Sequence, residues 1–166
     1  MNKWESIRQS WKTVHDKAIK GERIGPYFHE WHFTPIEEEV WNEIRFTGLP
    51  LYPQVPVKNM FVDFGSPFLK IGVEADGKDW HELRKDIKRD KRLKRQGWTI
   101  YHLTGSECKR LPKDYGYKDE AYLLNSVEGL LTAIAVIHFS MDKAYGSDMP
   151  FLCKILEKHL LIKGVE

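Results

Sequence analysis

Acids at the ends of apolar strands constrain this chain more than any other feature. Phe61-Val62-Asp63-Phe64 is followed, after Gly65-Ser66-Pro67, by Leu69-Lys70-Ile71-Gly72-Val73-Glu74-Ala75-Asp76-Gly77 and then His81. The pattern reads as two adjacent strands joined in a hairpin. Side chains alternate faces along a strand, so Glu74 and Asp76 point one way and Asp63 comes near that same face. Carboxylates crowded together raise one another's pKa values and weaken a fold that lacks a cation. A divalent ion, Mg2+ or Mn2+, answers that need, because hard cations take oxygen ligands from a few carboxylates, carbonyls and waters. The expected ligands are Asp63, Glu74 and Asp76. A solvated strand edge is the rival reading, and it accounts for one acid more easily than for the set.

Around this pair the elements read in order. Ile7, Trp11, Val14 and Ala18 recur at helical steps between Trp4 and Lys20, and Gly21 with Gly25-Pro26 ends that helix. Thr34 at an N-cap, Pro35 at the first helical position and Glu37 at the capping-box position start a second helix. Its stripe is Ile36, Val40, Trp41 and Ile44, and Gly48 closes it. Pro50, Pro53 and Pro56 suit an edge strand or a loop. A basic helix runs from about Asp79 to Gly97, and Trp98 to Leu103 alternates as a third strand. Thr104-Gly105-Ser106 punctuates, one long helix covers about Glu120 to Tyr145, and Phe151 to Ile162 forms a short last one. The expectation is an α/β (α+β) fold with a mixed central sheet flanked by helices. Residues 1–33 read as an N-terminal helical extension, 34–110 as the core and 111–166 as a helical part packed on it, in one domain.

The basic helix carries the second signal. Net charge is only +2, so total charge announces nothing, but Arg84, Lys85, Lys88, Arg89, Lys91, Arg92, Lys94 and Arg95 fall within one short stretch. Leu83, Ile87 and Leu93 give it one narrow face to bury. A phosphate backbone drawn to Arg84, Lys85, Lys88, Arg89, Arg92 and Arg95 would lie beside the acids. Asp86 and Asp90, a turn apart, are expected to pair with Arg89 or Lys94. Trp41 and Trp98 suit the core, whereas Trp31 could stack on bases. Cys108 and Cys153 belong to no metal-spaced pair and read as reduced thiols. The sequence has no apolar leader and no run long enough to span a bilayer, which suggests a cytoplasmic location and no membrane partner.

Thr34-Pro35-Ile36-Glu37, Val62-Asp63-Phe64, Val73-Glu74-Ala75-Asp76-Gly77, Trp80-His81, Asp86 to Asp90 and Gly97-Trp98 together resemble the nuclease domain of the very-short-patch-repair type. That type lies in the PD-(D/E)XK superfamily, and its DUF559 branch is the most similar. The resemblance spans Thr34 to about Glu107 and implies a restriction-endonuclease-like fold and a Mg2+- or Mn2+-dependent endonuclease acting on duplex DNA, without an organic cofactor. It implies that Asp63 is the metal-binding acid of the core and Glu74 that of the paired strand. Glu37 resembles the helix glutamate near the metal water, and His81 the histidine after the glycine turn. The expected catalytic set is thus Glu37, Asp63, Glu74, Asp76 and His81. The chain departs from the superfamily pattern at Asp76, where lysine is usual, which leaves His81, Lys70 or a second-metal water to orient or deprotonate the nucleophile. One site cuts one strand at a time, so nicking is expected of a monomer. The alternatives are a binding or assembly module that keeps the fold without cleavage, and an RNA-directed nuclease.

Overall fold

A computed structural model of the chain describes residues 1–77, 83–114, 116, 118–141 and 149–161. Its centre is a four-stranded sheet in the order β1 (Tyr52–Val57), β2 (Met60–Ser66), β3 (Ile71–Asp76), β4 (Thr99–Thr104). The β1–β2 and β2–β3 pairs are antiparallel, and β3 and β4 are parallel. A parallel pair needs a crossover, and α4 (Leu83–Arg95) supplies it. The proline-spaced segment is β1, at the sheet edge, where an absent N–H costs no ladder bond. The other edge strand, β4, is covered: the His102 N–H donates to the His159 carbonyl at 2.8 Å, at the end of α8 (Met149–Lys158).

Helices cover both faces. On one, Val40, Trp41 and Ile44 of α3 (Pro35–Thr47), Leu130, Leu131 and Ile134 of α7 (Val127–Phe139) and Leu152 and Ile155 of α8 bury Phe64, Val73, Tyr101 and Leu103. On the other, Ile7 and Trp11 of α1 (Lys3–Lys12) and Leu93 of α4 pack with Val55, Val62, Trp98 and Ile100. Gly72 permits the close packing on this second face, since a Cβ there would sit 2.4 Å from Val62 Cγ1 and 3.0 Å from Ile100 Cδ1. The terminal segments thus contribute to the two cores. Among the described residues no helix is long and apolar enough to cross a membrane.

Two helices expected to be continuous are broken. The first ends at Lys12 because Thr13 bonds back to the Ser10 carbonyl with its hydroxyl at 2.7 Å, a local competitor of the helical ladder. Its continuation is the short α2 (His15–Ile19). The C-terminal helix is divided into α6 (Glu120–Leu124) and α7 by Ser126, whose hydroxyl caps the Gly129 N–H at 3.1 Å. Gly129 makes that junction possible, because a Cβ there would meet the Leu123 carbonyl oxygen at 1.7 Å. Thr104, read as a turn residue, instead caps α5 (Gly105–Lys109), with Glu107 completing the capping box.

Candidate active site

The site lies where the sheet forks. Strands β2 and β3 pair from Ser66↔Ile71 to Phe64↔Val73 and no further. Beyond that point the Asp63 side chain takes over the ladder, its Oδ2 accepting from the Ala75 N–H at 3.0 Å. The neighbouring pair β1 and β2 keeps constant register on either side, Pro53↔Phe64 and Val55↔Val62, but skips Gln54 opposite Asp63. Gln54 has φ 49°, in the left-handed region. Across this break both strands change face: Phe64 lies in the core under α3, and Val62, two residues away, lies in the core under α1 and α4. Strict alternation would have put them together. The flip leaves Asp63 directed along the sheet, towards β3.

Glu74, 6% exposed, meets Asp63 there. Burial, followed by the Glu74 charge and a hydrogen bond between the two, raises the Asp63 pKa well above the ordinary aspartate value. Burial also raises that of Glu74, against the opposing pull of Arg89. Arg89, from the inner side of α4, places Nη1 2.7 Å from Glu74 Oε1, and its Nη2 donates to the Phe61 carbonyl. Apart from that ion pair, Glu74 Oε1 is a buried oxygen with no hydrogen-bond partner among the described residues. Glu37 keeps its capping role, its Oε1 accepting from the Thr34 hydroxyl at 2.7 Å. Its other oxygen accepts from Gln54 Nε2 at 3.4 Å, and its charge is felt at Asp63. Cap and site residue are therefore the same side chain.

Asp76 is placed otherwise than expected. It shares the face of Glu74, but its Oδ2 bonds His102 Nδ1 at 2.5 Å, and the Nε2 of the same ring bonds Asp90 Oδ2 at 2.6 Å. His102 stands beside Glu74 in the parallel β3–β4 register. Burial alone would lower its pKa, yet the hydrogen bonds and charges of the two aspartates override that and raise it to about 10. At neutral pH the ring is an imidazolium between two carboxylates. Asp90, expected to pair along its own helix with Arg89 or Lys94, is buried and turned to the sheet instead, because it shares the inner stripe of α4 with Leu93.

The three expected metal ligands are thus not brought together as one set. Among the described residues no group of three or more His, Cys, Asp or Glu is arranged to hold a metal; the Asp63–Glu74 pair remains. That pair fits Mg2+ or Mn2+ in donor chemistry, since such ions bind through one or two carboxylates and complete their shell with water and substrate phosphate. The buried oxygen of Glu74, met only by a guanidinium, and the two raised carboxyl pKa values mark a place that accommodates positive charge.

Of the remaining expected residues, Arg84, Lys85, Lys88, Arg92 and Arg95 are exposed on α4. Arg92 also donates to Asn59 Oδ1 at 2.8 Å. Arg89 differs from them, being turned inward on Glu74 rather than free for phosphate. Lys70 lies at the start of β3, at the end away from the acids, with Nζ 3.3 Å from the Gln96 carbonyl. Trp31 donates to the Pro26 carbonyl at 2.7 Å and packs on Phe28 and His29, so its ring serves the fold. His81 and Trp80 lie outside the described residues. Sequence reading missed His102, Asp90 and Gln54. Signals for the first two existed: a titratable ring amid Ile100, Tyr101 and Leu103 needs a partner, and Asp90 sits three residues before Leu93 on a buried stripe.

A mixed sheet with helices on both faces and an acid pair at a strand fork defines a restriction-endonuclease-like class. Residues 36–115 match the family model REase_MTES_1575, a restriction-endonuclease-like family. No curated protein matches the chain. Among solved structures, the homing endonuclease I-Bth0305I catalytic domain is similar at 19% identity, over 45% of this chain and 80% of that one, with a TM-score of 0.39.

Proposed function

We propose that this nuclease is a divalent-metal-dependent endonuclease of duplex DNA that nicks one strand at a time, in the very-short-patch-repair-like branch of the superfamily. The pairing of half-buried Asp63 with buried Glu74 beside a cationic helix carries the reading, because paired acids with raised pKa values are unfavourable until a cation joins them. Asp63 and Glu74 would hold Mg2+ or Mn2+. An ion bound there would stabilise the charge that builds on the phosphoryl oxygens and make water a nucleophile near neutral pH.

The chain's own residues do the rest. Asp63 is fixed by the Ala75 N–H, which holds its carboxyl beside Glu74. Glu37, held at the start of α3 by its cap and by Gln54, accepts a hydrogen bond from the attacking water and orients it. His81 is the second candidate for that proton. Arg89 balances Glu74 before the ion arrives, and the exposed cations of α4 hold the phosphate backbone.

The test is a supercoiled-plasmid assay with Mg2+, with Mn2+ and with chelator, run beside Asp63→Asn. Open-circle product that needs the metal and vanishes in the variant supports the reading. Cleavage that survives both chelator and Asp63→Asn refutes the site. Single-stranded DNA and RNA in the same assay separate a DNA nicking enzyme from an RNA-directed one.

A further inference from the structure

Next to the acid pair, on the face covered by α1 and α4, is a surface that the nuclease site does not use. Trp4 leaves 45% of its surface in water. Its ring lies 4.7 Å from that of Phe61, centroid to centroid, at 38°. Lys3 Nζ is 5.0 Å from the Trp4 centroid, and the Arg8 guanidinium is 4.6 Å from that of Phe61. Exposed Lys58 at the β1–β2 turn and Arg92 on α4, bonded to Asn59 of the same turn, extend the positive charge. The nearest acid on α1, Glu5, is engaged with Asn2 in the capping box.

This platform is tied to the site. Arg89 bonds the Phe61 carbonyl with one arm and Glu74 with the other. Phe61 precedes Asp63 by two residues in the same strand, a step of about 7 Å. A strand whose phosphate lies at the acids therefore brings its next nucleotides over Trp4 and Phe61. Paired bases inside a duplex offer no ring face to stack on, whereas an unpaired base does, and aromatics flanked by cations bind single strands in this way.

We propose that Trp4 and Phe61, flanked by Lys3 and Arg8, form a stacking platform for an unpaired base of the nucleic-acid strand beside the Asp63–Glu74 site. Its placement rests on the nuclease reading, but its chemistry does not. The preferred substrate accordingly carries a flap, a gap or a frayed end next to the phosphate that is cut.

The experiment measures binding of labelled oligonucleotides in chelator, where no cleavage occurs: a blunt duplex, the same duplex with an unpaired flap, and the flap strand alone. The wild-type protein is expected to bind the flap duplex more tightly than the blunt one. Trp4→Ala should lose about tenfold on the flap substrates, the scale of one base stacked on an aromatic, and far less on the blunt duplex. Trp4→Leu keeps apolar cover on Phe61 without a ring face and should lose the same, while Trp4→Tyr should retain most of the affinity. Equal affinities for Trp4→Leu and wild type on the flap duplex would overturn the platform, as would an equal loss on flap and blunt duplexes. A wild-type protein that shows Trp4-dependent flap binding but no metal-dependent nicking would refute the nuclease reading and leave the platform standing.

Discussion

Replacing His102 by leucine tests the charge arrangement behind the acid pair most directly. The imidazolium is 8% exposed, and each of its ring nitrogens bonds one carboxyl group, Asp76 at 2.5 Å and Asp90 at 2.6 Å. Moving its pKa from 6.5 to about 10 corresponds to about 5 kcal/mol of differential interaction. Breaking a buried ion pair by removing one partner costs about 3–5 kcal/mol, because the other charge is left uncompensated. For a chain of this length each kcal/mol lowers Tm by about 2–4 °C, so His102→Leu should melt roughly 6–20 °C lower at pH 6. The folded pKa lies above the unfolded one, so the stabilisation is fully present below pH 6.5 and is lost as pH rises through about 10. The gap between wild type and variant should therefore close by about 1.4 kcal/mol per pH unit across that window. Circular-dichroism melts from pH 6 to pH 10, with an NMR titration of the His102 ring protons, read both quantities. A ring that titrates near its ordinary value, or a gap that stays constant with pH, would refute the argument.

Four further outcomes follow from the same arrangement. Asp63→Asn keeps an acceptor for the Ala75 N–H while deleting a charge that Glu74 opposes, so in chelator it should be more stable than wild type by about 1–2 kcal/mol, and it should lack the Mn2+-induced rise in Tm expected of wild type; a lower Tm than wild type would count against carboxylate repulsion. Because the Asp63 pKa is raised, its contribution to wild-type stability is present below about pH 3.8 and is lost as pH rises through the elevated folded value, so metal-free wild type should weaken relative to Asp63→Asn from acid towards neutral pH and Mn2+ should narrow that difference. Arg89→Met leaves Glu74 buried without its counter-ion, which should cost about 3–5 kcal/mol in chelator and be partly restored by Mn2+; a loss that Mn2+ does not touch would separate Arg89 from the proposed metal site. Neutralising Lys88, Arg92 and Arg95 together should weaken DNA binding across sequences and reduce its salt slope by about one per lost phosphate contact, and an unaltered slope in a filter-binding titration would reduce α4 to a solvated face.

Where the information was local, the sequence was enough. The Thr34–Glu37 capping box, the proline-marked edge strand, the hairpin of β2 and β3 and the cationic α4 each depend on residues a few positions apart, and each is found where it was read. The helix breaks at Thr13 and Ser126 were missed because a hydroxyl can serve a helix interior or cap a new one, and tertiary packing decides between them. Asp76 shows the other limit. Period-2 alternation puts it on the face of Glu74, as found, but a face is wide, and a histidine 26 residues further on claims it. No spacing rule predicts that, since the pairing depends on β4 lying parallel beside β3 in one particular register.

The face change at Gln54 and Asp63 has a tertiary cause of the same kind. A left-handed non-glycine residue costs roughly 1–2 kcal/mol, and it persists only where its surroundings over-determine it. Here the Gln54 amide is held by Glu37, and Glu37 is held by the N-cap of α3. The cap that starts the helix therefore also supports the distorted strand. That distortion turns Asp63 out of the alternation and into the gap beside β3, where its carboxyl replaces a backbone partner for Ala75 and meets Glu74. Had β1 and β2 kept strict alternation, Asp63 would stand on one face of a continuous sheet, and β2 and β3 could pair past it. The unfavourable acid pair and the strained glutamine are thus two ends of one arrangement, and removing the strain would be expected to close the fork and with it the place proposed for the cation.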